Sequence, residues 1–243
     1  MKTLLSLYGV ALLMAGCCLA TSPGQAEDVN YPDPERYAKS IDTFQQWDSK
    51  NSYPTDAVLF VGSSSIRLWS TAEAFGDEFP VINRGFGGSI LADSIHYADR
   101  IILKYKPVVV VLFAGTNDVN RGIPPAMVHR DFVRLVEIIH TALPRTEIIY
   151  LSITPTRSRW PLWQQMQAVD AGNKAFAATH DAVTFVDLAN AFLGEDGLPV
   201  KHLFVDDQLH LSPDGYAIWN RVLAPVLRQK YRLAMNTSAA GQD

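Results

Sequence analysis

Two cysteines are all this chain of 243 residues contains, and both, Cys17 and Cys18, stand side by side near its start. The sequence beyond them has no thiol for a disulfide framework or a thiolate metal site. Basic clusters are missing too. The 21 Lys and Arg are scattered among 25 Asp and Glu, for a net charge of −4, and no positive stripe offers itself to a nucleic-acid backbone. The motif Gly-x-Ser-x-Gly does not occur, which argues against the α/β-hydrolase fold whose nucleophile turn it marks. Gly85-x-Gly87 lacks the third glycine of a dinucleotide fingerprint, because Ile90 stands in its place. Asp206, Asp207 and His210 could in principle meet a divalent ion, but no second histidine lies at ligand spacing, so neither metal nor cofactor is expected. What is present is ordinary for a globular protein: 48% hydrophobic and 19% charged residues, in a length that fits one large domain.

The first 26 residues carry a single charge, Lys2, ahead of the apolar stretch from Leu4 to Ala15. That is the pattern of an export signal, and it is short for a membrane span. Leu13-Met14-Ala15-Gly16-Cys17 resembles a bacterial lipobox, in which the cysteine is acylated after cleavage; Met14 is the less usual residue. The expectation is therefore a signal peptide of lipoprotein type over residues 1–20, with lipid on Cys17. Cleavage by ordinary signal peptidase after Ala20 or Ala26, giving a periplasmic or secreted protein, and an uncleaved anchor are the alternatives. Residues 21–33 read as a polar tether, 34–232 as the folded domain and 233–243 as a tail.

Within the domain, Tyr37, Ile41, Phe44 and Trp47 place an apolar stripe on one helix face, which suggests a helix lying on a sheet. Ala57 to Val61 is an apolar run that stops at Gly62 and three serines. Such a run suits a strand buried on both faces, followed by a sharp exit into a helix start. Serine there is commonly a helix cap. Pro80 to Asn83 predicts a second strand leading into a glycine-rich loop, and Ile90 to Lys106 a helix ended by Pro107. Val108 to Ala114 predicts a central strand followed at once by Gly115-Thr116-Asn117-Asp118. Helices near 124–143 and 161–180, strands at 147–153 and 182–188, and a last helix opened by Ser212-Pro213-Asp214 complete the pattern. Alternation of this kind implies an α/β fold, a doubly wound parallel sheet of about five strands in a three-layer α/β/α sandwich. Ligands then bind beyond the carboxyl ends of the strands, where Ser64, Gly88, Asn117, Asp207 and His210 all fall.

Four blocks, Gly62-Ser63-Ser64, Asn83 to Gly88, Gly115-Thr116-Asn117-Asp118 and Asp207-Gln208-Leu209-His210, resemble in order and context those of the SGNH, or GDSL-like, hydrolases. The resemblance runs from about Val58 to Leu227 and implies that family's flavodoxin-like sheet. It further implies a nucleophile at Ser64, oxyanion donors in the backbone of Ser64 and Gly88 and the side chain of Asn117, and a triad completed by Asp207 and His210. Ser63 stands where the first block usually has Asp, so the choice among Ser63, Ser64 and Ser65 rests on the alignment.

The residue types suit that chemistry. A hydroxyl becomes nucleophilic when a base takes its proton, histidine can take and return it, and an aspartate on the other ring nitrogen fixes the tautomer. The loop from Thr154 to Trp163 leaves the sheet on the same edge. Its Arg157, Trp160 and Trp163 are candidates for a substrate wall, although the tryptophans could equally dock a helix. No long apolar insertion provides a lid, so the expectation is a shallow site for acetyl or short-acyl esters, with O-acetylated carbohydrate a candidate substrate. A lysophospholipase or lipase, and a catalytically silent carbohydrate-binding module on the same fold, are the alternatives.

Overall fold

The structure, a computed structural model, describes residues 29–239. The expected signal peptide, its cleavage sites and Cys17 lie outside that range. The chain divides after Asn30, and residues from Tyr31 onward form one unit.

Five short parallel strands make its centre: β1 (Val58–Gly62), β2 (Val81–Gly85), β3 (Val109–Phe113), β4 (Glu147–Leu151) and β5 (Val183–Val186), in the order β2-β1-β3-β4-β5. Every residue of β1, β3 and β4 is buried, as near-continuous apolar runs covered on both faces must be. The helices are α1 (Ala38–Lys50), α2 (Ser64–Arg67), α3 (Thr71–Phe75), α4 (Leu91–His96), α5 (Ala98–Ile101), α6 (Thr116–Asn120), α7 (Pro125–Ala142), α8 (Trp163–Ala177) and α9 (Pro213–Ala239). On one face of the sheet Phe60, Val111 and Ile149 pack with Phe75 of α3 and Trp219, Leu223 and Leu227 of α9. On the other, Tyr150 of β4 meets Phe132 of α7 edge-on at 4.9 Å. The strand order reverses between β1 and β3, so the loops after these two strands diverge and leave a crevice between them.

The last helix starts as its sequence suggests, with Ser212 Oγ accepting the Gly215 N–H at 3.3 Å. It continues to Ala239, and Ala234 is buried, so residues 233–239 are helix where the sequence predicts a tail. The expected helix from 90 to 106 is instead α4, α5 and a 3₁₀ turn (Leu103–Tyr105), closed by Lys106 in the left-handed region at φ 46°. Neither glycine nor proline marks those breaks. The first helix also differs from its stripe. Ile41 is buried but Trp47 is 52% exposed. Much of the docking of α1 runs through Asp48, which accepts from Arg84 of edge strand β2 at 2.6 Å and from Lys104 at 2.7 Å. The end of the expected tether is packed as well, since Tyr31 Oη donates to Asp131 of α7 at 2.6 Å.

Candidate active site

β1 can end where it does only because residue 62 is glycine. Its φ is +149°, and a Cβ there would lie 2.1 Å from the Phe113 carbonyl oxygen. The chain turns directly into α2, with Ser63 at the cap position making no side-chain capping bond. Ser64, the first residue of α2, is partly exposed. Of the three serines it is Ser64 whose Oγ meets His210 Nε2, at 2.9 Å.

His210 reaches that position from a tight turn. Gln208 has φ +55°, its N–H donates to the Val205 carbonyl, and the Val205 N–H donates to the His210 carbonyl, both at 2.9 Å. The turn folds Asp207 back on its own backbone. Asp207 Oδ1 accepts the N–H groups of Leu209 and His210 at 2.9 Å each, and Oδ2 lies 2.5 Å from His210 Nδ1. Burial pushes this carboxyl up, but the hydrogen bonds from the His210 ring and from the His210 and Leu209 backbone outweigh it and hold the group below the usual aspartate value. An ionised carboxylate only accepts, so Nδ1 carries the proton and Nε2 presents its lone pair to the Ser64 hydroxyl.

Three elements offer donors that can meet a developing negative charge. The first N–H groups of a helix lack intrahelical partners, and the Ser64 N–H has no acceptor among the described residues. The same holds for Gly88, whose φ of +80° and the Tyr37 hydroxyl, 3.1 Å from where a Cβ would sit, both favour glycine. Asn117 Nδ2 donates to the Ser89 carbonyl at 3.0 Å, which spends one amide hydrogen and leaves the other.

Two buried carboxylates fix the loop that carries Gly88. Asp118 Oδ1 accepts the Leu91 N–H at 2.9 Å and its Oδ2 the Gly115 N–H at 3.2 Å, joining the turns after β2 and β3. Asp93 Oδ2 accepts the Ile90 N–H at 2.9 Å and is itself held by Arg36 at 2.6 Å. Burial pushes the Asp118 carboxyl up to about 7, against the Leu91 and Gly115 N–H groups that pull it down; Asp131 adds to the rise. In the sequence Asn117-Asp118 reads as a candidate turn, and Asp93 and Arg36 do not stand out. The one signal for Asp93 is an acid three residues into a helix start, and Arg36 has none.

The remaining expected residues are placed differently. Arg157 Nε donates to the Pro199 carbonyl at 2.6 Å, and Trp160 and Trp163 stack on each other with centroids 6.1 Å apart. The residues of their loop that face Ser64 are Thr154 and Thr156, which with Phe113, Asn117 and Trp219 line a recess of about 20 Å³. On that measure one water needs roughly 10–15 Å³, so the recess accommodates little more than a methyl group. A separate cavity of about 750 Å³ has His210 in its wall. Arg157, Trp160 and Trp163 line neither. Among the described residues no three His, Cys, Asp or Glu side chains are grouped to hold a metal ion.

Comparison with known proteins bears on the fold and the family. No curated protein matches the chain. Among solved structures, a Streptococcus pneumonia protein named after platelet activating factor is 23% identical with a TM-score of 0.70, over 79% of this chain and 93% of its own. A GDSL-like lipase from Bacteroides thetaiotaomicron is 20% identical with a TM-score of 0.67, over 81% and 98%. An acetylxylan esterase from Geobacillus stearothermophilus, solved as a catalytic mutant, is 18% identical with a TM-score of 0.60, over 71% and 94%. At these identities the likeness speaks for the fold. The model of the GDSL-like lipase/acylhydrolase family matches residues 64–218, from the serine at the head of α2 into α9, and the chain belongs to that family of ester-bond hydrolases.

Proposed function

We propose that the protein is a serine esterase that removes acetyl and other short acyl groups through an acyl-enzyme on Ser64. The observation that carries this reading is the relay from Asp207 through His210 to Ser64, with contacts of 2.5 and 2.9 Å, beside a recess of about 20 Å³. In the first half-reaction His210 Nε2 takes the Ser64 proton as Oγ attacks the ester carbonyl carbon. The resulting oxyanion is met by the N–H groups of Ser64 and Gly88 and the free amide hydrogen of Asn117, donors that each contribute about 3 kcal/mol in comparable sites. Collapse breaks the bond to the alcohol oxygen, which leaves with the proton held on His210. Water then attacks the acyl-enzyme with His210 again as base, releasing the carboxylic acid and restoring Ser64. Asp207 keeps the ring in the required tautomer and stabilises the imidazolium formed in each half.

Size sets the acyl preference. A chain longer than the recess leaves its methylenes in water, at about 0.8 kcal/mol forgone for each. The acetylxylan esterase among the structural neighbours is consistent with a small acyl group and with O-acetylated carbohydrate as substrate. The specificity constant should be highest for acetyl to butyryl p-nitrophenyl esters and fall by the octanoyl ester. A steady rise out to decanoyl, measured below micelle formation, would instead support the lysophospholipase reading.

The location proposed for this activity is a bacterial membrane surface, with lipid on Cys17 as the anchor. Wild type should fractionate with membranes and Cys17→Ser should not. Membrane association that survives the substitution would point to an uncleaved signal, and a soluble wild type to ordinary cleavage.

A further inference from the structure

The 750 Å³ cavity beside His210 shares Leu211 with the small recess; α9 and the histidine turn line both, but with different side chains. Leu68 and Trp69 come from the segment that leaves α2, Glu73 from α3, Val205 from the turn that presents His210, and Tyr216 and Asn220 from α9. Three features set its chemistry. Leu68 and Val205 are 45% and 42% exposed, two large apolar side chains that border the same opening. Tyr216 gives its hydroxyl to the Ser65 carbonyl at 2.8 Å, which holds its ring in the wall next to the nucleophile turn, nearly parallel to Trp69 at 6.0 Å. Asn220 Oδ1 accepts from Trp69 Nε1 at 2.9 Å, so its amide hydrogens stay available, while Glu73 has no ion pair among the described residues.

The mechanism decides which half of an ester can lie there. The leaving oxygen collects its proton from His210 Nε2, so whatever is bonded to that oxygen must pass along the wall that His210 forms. The recess beside Asn117 has no room for a large group. We propose that this cavity is the alcohol subsite and that it takes a neutral carbohydrate, making the enzyme selective for a small acyl group on a large sugar alcohol; this rests on the serine-esterase reading. Pockets of about 300–1,000 Å³ hold ligands of drug size, which admits a short oligosaccharide. The C–H faces of sugar rings pack on Leu68, Val205 and the Tyr216 ring, and their hydroxyls donate to Glu73 or accept from Asn220. The wall carries the Glu73 carboxylate and no Lys or Arg, so a headgroup phosphate finds no counter-charge there.

The test compares kcat/KM for three acetyl esters on the full chain: methyl acetate, acetylated cellobiose and 1-acetyl-glycero-3-phosphocholine. Acetylated cellobiose should exceed methyl acetate at least 100-fold. Val205→Trp and Leu68→Trp, at exposed positions that tolerate bulk, should each lower that ratio at least 10-fold, and Trp47→Ala on the distant surface of α1 should not. Methyl acetate hydrolysis with a ratio near one, or a ratio that both tryptophan variants leave intact, would overturn the subsite while the esterase reading stands. Preference for the phosphocholine ester would overturn the neutral-carbohydrate class. No hydrolysis of any ester would overturn the esterase reading and the subsite with it.

Discussion

Ser64→Ala and His210→Ala should each lower kcat for p-nitrophenyl acetate by about 10⁴-fold or more while the far-ultraviolet circular dichroism stays as in wild type. The size of the loss reflects the way such residues act, because removing either member disables the same proton transfer and the two losses do not add. Retention of the fold is a matter of position. Ser64 and His210 are partly exposed, and neither belongs to the buried cluster around Phe60 and Trp219. Ser63→Ala and Ser65→Ala provide the control, since neither hydroxyl meets the histidine. A full loss in one of them, with Ser64→Ala active, would move the nucleophile. Asp207→Asn should also be severely slowed, because an amide that donates to Nδ1 turns the ring to the wrong tautomer.

The second large effect should come from a residue with no contact to the substrate. Asp118 accepts one N–H from the loop that carries Gly88 and one from the turn that carries Asn117. Asn at this position can accept only through one oxygen, and its amide faces an N–H that it cannot satisfy. Loss of alignment at one oxyanion donor typically lowers kcat by about 10²–10³-fold. Asp118→Asn should therefore lose activity in kcat with KM little changed, beyond the roughly 1–3 kcal/mol of stability that a buried unsatisfied group costs. An equal loss of activity and folded fraction would reduce Asp118 to a structural role. The pH dependence of stability gives an independent reading. Burial raises this carboxyl from 3.8 to about 7, so between those values the folded chain holds a proton that the unfolded chain has released. Stability from this group must then fall as pH rises from about 4 to 7. Burial raises Asp170 in the same direction, to about 8, so urea melts of Asp118→Asn should keep part of the wild-type slope and lose the share that belongs to Asp118; parallel curves would count against a buried, proton-holding Asp118.

How far these features are legible in the sequence depends on whether their cause is local. The strands are legible because Val58 to Val61 and Val109 to Phe113 are apolar without interruption, and only burial on both faces suits such runs. The reactive cluster is legible because a doubly wound sheet brings all strand ends to one edge, so that Ser64, Asn117 and His210 must converge once their strands are placed. The breaks between α4, α5 and the 3₁₀ turn are not, because packing rather than Gly or Pro imposes them; Tyr97 at the first break donates its hydroxyl to the Pro34 carbonyl, 63 residues away. Arg36 and Asp93 meet across 57 residues, a separation at which no spacing rule operates. Trp160 and Trp163 look like a wall because their loop leaves the correct edge, but their rings turn to each other. The alcohol cavity has contributions from α3, α9, the segment after α2 and the histidine turn, and no single stretch of sequence describes it.

The segment from Tyr31 to Tyr37 has a mechanical consequence. It touches the domain at two ends: Arg36 and Tyr37 rest on the loop that carries Gly88, while Tyr31 is fastened to Asp131 and Arg130 of α7, and burial and the carboxylate beside it keep its hydroxyl protonated as a donor. A pull on the chain from its N-terminal side reaches Tyr31 before it reaches Arg36. Tension is thus delivered into α7, as a strain relief does for a cable, and the backbone of the Gly88 loop stays slack. A protein worked at the end of a leash would keep its aim only as long as that first clamp holds.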